Sequence, residues 1–318
     1  MQSSERKWFL LQNFIGLKHL QFQRQRHFFH IVSPSPWPLY TSISVLTTVV
    51  CFVGYLHSFG SHFGSLGPFA LISLLLLLLP LTLWFSDIIA ESRTQHTLLV
   101  QKALLRAFIL FIVSEIMFFA SFFWAFFHSS LAPTIWIFCT WPPLGMETIP
   151  AFELPLLNTF ILLSSGLTVT WAHQALISGI KSYLIQGLLL TVGLATLFMA
   201  IQYLEYRFAP FSIYDGIYGS CFFMLTGFHG FHVFLGGIML LVCLFRSLLN
   251  HFSKGNHIGF ITSAWYWHFV DVVWIFLFLF VYWWGNTPIA ETPEESYDIL
   301  LHFLAPDWSI TSSTPLIN

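Results

Sequence analysis

Seven stretches of nearly uninterrupted apolar residues divide the chain. They run near Leu39 to Phe59, Leu66 to Phe85, Leu104 to His128, Leu156 to Ile177, Tyr183 to Leu204, Tyr218 to Phe245 and Thr262 to Gly285. A hydrocarbon layer takes about 20 residues of helix to cross, so each stretch predicts one transmembrane helix. Pro80 is expected to kink the second. The prediction is an all-α polytopic membrane protein in three parts: a basic segment over 1–38, a seven-helix domain over 39–285, and an acidic tail over 286–318.

Composition points the same way. Of 318 residues, 56% are hydrophobic and only 8% charged, too few to cover a soluble globule of this size with polar surface. The net charge of -2 is uninformative, but the placement of the charges is not. With seven spans, the N-terminal tail shares a side with the loops after spans two, four and six. Arg6, Lys7, Lys18, Arg24, Arg26, Arg93, Lys102, Arg106, Lys181, Arg246 and Lys254 fall there, eleven of the twelve basic residues. Arg207 alone falls opposite, together with Glu147, Glu153, Glu205, Asp215, Glu291, Glu294, Glu295, Asp298 and Asp307. That segregation predicts an N-terminus on the negative-inside compartment and a C-terminus outside.

The four cysteines show no metal-type pairing and are expected to pack as small apolar groups. Residues 1–30 are basic, rich in Gln and nearly free of acids, like a transit peptide. A retained segment lying on anionic lipid or a neighbouring subunit is expected there.

Polar residues inside the spans carry the chemistry. Glu115 sits in the middle of span three, where an acidic group costs on the order of 3 kcal/mol to insert. It is expected to be a neutral acid hydrogen-bonded to a neighbouring helix, serving either proton chemistry or packing. Asp271 in span seven can pair with His268, three residues earlier on the same face. His229 and His232 also share a face, but two histidines without a matching pair on another span are too few for a metal or haem site. A hydrogen bond across the helix interface, or a lipid headgroup, is the expected use. Ser164, Ser165, Gly166, Thr168 and Thr170 on span four read as close helix packing. His128 and His173, with Trp124 and Trp171 beside them, fit an interfacial aromatic belt. No phosphate loop, catalytic triad, zinc motif or nucleic-acid patch is legible, so the expectation is no catalytic residue and no bound metal. A proton-linked transporter or channel is the main alternative, although no internal repeat supports it.

Six collinear stretches then resemble one family. They are His30–Pro38 (HIVSPSPWP); Phe111–Ile116 (FIVSEI) with Phe122–Pro133 (FFWAFFHSSLAP); Pro155–Thr159 (PLLNT); Val169–His173 (VTWAH); Asp215–Ser220 (DGIYGS) with Thr226–His232 (TGFHGFH); and Trp265–Trp274 (WYWHFVDVVW). Together they resemble subunit III of the haem-copper cytochrome c oxidases, mitochondrial type, over about residues 27–286. The resemblance implies an accessory subunit of the mitochondrial inner membrane, packed against catalytic subunit I. It implies helices grouped as two and five around a lipid-holding cleft, with haem and copper held by partner subunits and none by this chain. Glu115 matches the family's reactive intramembrane carboxylate, near its oxygen and proton pathways. Trp84, Asp87, Glu91, His232 and Arg246 match its phospholipid positions, for cardiolipin, phosphatidylethanolamine or phosphatidylglycerol. Ser86 and Ala90 stand where the family has arginines, so Arg93 or Lys102 must supply the positive charge if that site is kept.

Overall fold

The computed structural model describes residues 28–58 and 67–286, and the expectations for 1–27 and 287–318 lie outside them. Among the described residues there are seven helices long and apolar enough to cross a membrane. They are α1 (Trp37–Ser58), α2 (Gly67–Thr94), α3 (Leu98–Leu131), α4 (Leu154–Ser178), α5 (Lys181–Phe208), α6 (Gly216–Leu248) and α7 (Ile258–Phe276). The last continues through a π-helical stretch, Leu277–Trp283, and a 3-10 turn, Trp284–Asn286. No strand occurs among the described residues, only an isolated bridge between Ser253 and Asn256.

All seven predicted spans are present, and most extend past the apolar core. The third begins at Leu98 rather than Leu104, because Gln101, Lys102 and Arg106 continue the helix toward the aqueous edge. α2 remains helical through Pro80, where only one backbone donor is lost.

The chain divides into two compact units, parting between Arg106 and Ala107. In the first, α1 pairs with α2, and the Thr48 hydroxyl donates to the Ser73 carbonyl at 3.0 Å. An apolar pocket of about 420 Å³ between these helices is lined by Tyr40, Ile43, Leu76 and Leu83.

In the second unit α4 and α5 form a tight hairpin. Pro155 opens α4, and Gly179 closes it in the left-handed conformation at φ 83°. A Cβ at Gly187 would lie 2.9 Å from Ala172 Cβ, so glycine lets α5 approach α4 closely. The span Ile258–Asn286, α7 with its continuation, is largely buried, whereas α3 is mostly exposed along its length. Leu110, Met117 and Trp124 project from α3 at 66–73% exposure. Apolar surface on that scale requires lipid or partner chains around it.

Candidate functional site

Glu115, halfway along α3, meets His232 of α6. Oε2 lies 2.7 Å from Nε2, with the imidazole 8% and the carboxyl side chain 22% exposed. The edge of the Phe119 ring, its centroid 4.9 Å away, helps to hold the imidazole. On its other side, His232 Nδ1 lies 2.7 Å from the Phe228 carbonyl oxygen one turn earlier. A carbonyl only accepts, so Nδ1 carries a hydrogen. The Nε2–Oε2 contact also needs one hydrogen, which sits on the carboxyl of a neutral pair or on the imidazole of an ion pair. Either way the pair holds one exchangeable proton and no net charge, which is what a low-dielectric interior tolerates. Both ring nitrogens are taken, so a direct headgroup contact at His232 has to displace one of them.

His229, on the same helical face, is buried and turns elsewhere. Its Nε2 faces the Val270 carbonyl at 3.2 Å, and its ring packs on Phe198 and Trp274. The face-sharing histidines therefore bond to different helices, and they do not converge.

His268 Nδ1 and Asp271 Oδ2 are 3.6 Å apart, an ion-pair distance beyond a hydrogen bond. His268 Nε2 lies 3.3 Å from the Thr170 hydroxyl. Asp271 fits because α4 has glycine opposite: a Cβ at Gly166 would lie 2.6 Å from Oδ2. The neighbouring small residues are also engaged. Trp267 Nε1 donates to Ser165 Oγ at 2.8 Å, and Thr168 and Thr191 hydroxyls meet at 2.7 Å.

A second buried carboxyl was not foreseen. Glu205, counted above among the acids outside the membrane, is 3% exposed near the end of α5. Its Oε1 accepts from the Tyr282 hydroxyl at 2.5 Å and from Gln202 Nε2 at 2.9 Å. Asn158 Nδ2 donates to Gln202 Oε1 at 3.2 Å, so α4, α5 and the π-helical end of α7 share one polar network. The spacing of Gln202 and Glu205, three apart on one face, was its only sequence signal. Of the cysteines, Cys221 and Cys243 are buried as expected, whereas Cys139 is exposed in the loop after α3.

Trp84, Asp87 and Glu91 line one half-buried face at the end of α2, with Arg93 exposed beyond them. The acids are engaged within the first unit: Trp37 Nε1 donates to Asp87 Oδ2 at 2.8 Å, and His30 Nε2 lies 3.2 Å from Glu91 Oε2. His96, in the turn that follows, has its pKa lowered mainly by burial and further by His30, with Glu91 opposing. In the second unit, Arg246 near the end of α6 lies over the Phe252 ring at 4.4 Å. An apolar groove of about 1030 Å³ runs between α3 and α7, lined by Ile112, Ile116, Phe119, Phe269 and Phe276.

These features define an integral membrane subunit with seven membrane-length helices among the described residues, several of whose buried polar groups are paired across helices. The family model described as cytochrome c oxidase subunit III matches residues 27–286. Cytochrome c oxidase subunit 3 of Arabidopsis thaliana is 51% identical over 268 residues, 83% of this chain and 99% of its own. The Triticum aestivum protein of that name is 52% identical over 268 residues, with the same coverage, and that of Papio hamadryas 49% over 264 residues, 82% of this chain and 99% of its own. The chain belongs to the cytochrome c oxidase subunit III family. It is thus a multi-pass inner-membrane protein and part of an oxidase complex with other subunits.

Proposed function

We propose that this chain serves the oxidase as an accessory core subunit: it stabilises catalytic subunit I and supports proton uptake and oxygen access, while haem and copper chemistry stays with its partners. The observation that carries this reading is the Glu115–His232 contact, 2.7 Å long, which holds a single exchangeable proton between α3 and α6. A group that neither repels nor leaks charge at mid-span is suited to buffering a proton near a pumping partner. The largely apolar groove beside it, lined by Ile116 and Phe119 with His268 on its wall, would admit dissolved oxygen.

Trp84, Asp87 and Arg93 in the first unit, and Arg246 in the second, would receive phospholipid headgroups, while the Glu91 carboxylate is turned to His30 instead. The placement of basic residues supports an N-terminus in the matrix and a C-terminus in the intermembrane space. Two measurements on the assembled oxidase carrying Glu115→Gln test the reading: activity over many successive turnovers, and the rate of proton uptake. Complex assembly is expected to survive, with faster loss of activity or slower uptake. If neither changes, the pair serves packing alone.

A further inference from the structure

One cluster in the first unit is used neither by the helix packing nor by the proton-sharing pair. His30, Glu91 and His96 converge where the segment before α1 returns to the end of α2, and one donor atom from each lies within 4.8 Å of the others. The imidazole of His30 is 3.2 Å from the Glu91 carboxylate. The two rings stand edge to face, with centroids 5.4 Å apart. All three side chains are half-buried, so none is a freely solvated surface group.

The arrangement is held from both sides. Thr97 Oγ1 donates to the Phe28 carbonyl and Trp37 Nε1 to Asp87, and these two clamps bracket His30 along its segment. The turn carrying His96 is fixed by the Gln95 amide donating to the Glu91 carbonyl at 2.8 Å, and by Gln101 Nε2 donating to the His96 carbonyl at 3.0 Å. Two imidazoles and a carboxylate therefore meet from three stretches of chain on a supported frame.

We propose that His30, Glu91 and His96 form a binding site for one divalent transition-metal ion of the zinc type, tying the segment before α1 to the turn between α2 and α3. Two nitrogens and one carboxylate oxygen are a donor set that zinc accepts in tetrahedral geometry, with the fourth position left to water. Calcium and magnesium prefer all-oxygen shells and are disfavoured here. With bonds of about 2.0–2.2 Å, a tetrahedral ion keeps its donors about 3.4 Å apart. The His30–Glu91 distance of 3.2 Å is already near that value, and with all three donors within 4.8 Å of one another a modest side-chain rotation would complete the set. This site goes beyond the accessory role proposed above and does not depend on it.

The test uses the purified oxidase complex in lipid nanodiscs, stripped with chelator, titrated with zinc sulfate and freed of unbound metal. Zinc per complex is then counted by mass spectrometry. The wild-type complex is expected to retain one equivalent that His96→Asn and Glu91→Gln complexes bind at least about tenfold more weakly. Equal zinc retention in all three overturns the proposal. Should the variants fail to assemble, the wild type decides through diethyl pyrocarbonate labelling. Zinc is expected to protect His30 and His96 while leaving His257, in the other unit, as reactive as before. Unprotected His30 and His96 at saturating zinc overturn the site.

Discussion

Glu115 Oε2 and His232 Nε2 sit 2.7 Å apart across the α3–α6 interface, and the two residues divide one proton between them. The division follows from the other side of the ring, where Nδ1 donates its hydrogen to Phe228 and fixes the tautomer. Loss of the shared proton leaves one uncompensated negative charge in the span.

His232→Leu strands the Glu115 carboxyl without a partner, at a cost of about 1–3 kcal/mol. The double variant Glu115→Leu with His232→Leu removes both polar groups and is expected to recover most of that loss. Thermal denaturation of the assembled complex measures both. The double variant should nevertheless inactivate faster during turnover, which separates the pair's proton from its packing.

The Glu205 network makes a second prediction. Tyr282→Phe removes a donor to the buried carboxyl and should lower stability by about 1–3 kcal/mol. Glu205→Gln keeps an oxygen to accept from Tyr282 and Gln202, so its effect should be much milder than that of Glu205→Ala. Melting temperatures of the three variant complexes check the order. Equal damage from Gln and Ala would show that the charge, not the acceptor geometry, is what the network needs.

The spans were legible because an apolar run long enough to cross lipid is a signal of length alone. Their ends were not, since Gln101, Lys102 and Arg106 keep α3 helical while looking like loop. Glu115 stood out as a lone acid among apolar residues, but its partner lies 117 positions away, a separation no local spacing reveals. Glu205 went unnoticed for the opposite reason. At the end of an apolar run it resembles an interfacial acid, and its partner Tyr282 comes from a π-helical stretch 77 positions away. Glu91 was read as a lipid position, and its convergence with His30 and His96 escaped because a chain reversal rather than a motif joins them.

Glycine positions in the helices differ sharply in what they can accept. Gly166→Ala puts a methyl group 2.6 Å from Asp271 Oδ2, and the overpacking should cost about 1–3 kcal/mol. Gly193 on α5 has nothing within 4 Å of its Cβ position, so Gly193→Ala should be neutral or slightly stabilising through helix propensity. Thermal melts of the two variants, side by side, check the contrast.

Arg246 offers a charge-specific test of lipid binding. Its guanidinium lies 4.4 Å over the Phe252 ring, and a Cβ at Gly259 would collide with its Nη1. Arg246→Ala removes the charge, whereas Gly259→Ala keeps it and moves it. If a lipid phosphate is held by the fork of this side chain, both variants should lose co-purifying anionic phospholipid in native mass spectrometry. Arg246→Lys should retain part of it, because a point charge attracts phosphate without the two-pronged fit. Wild-type lipid content in Arg246→Ala would remove this residue from the lipid site and leave its ring contact as a packing feature.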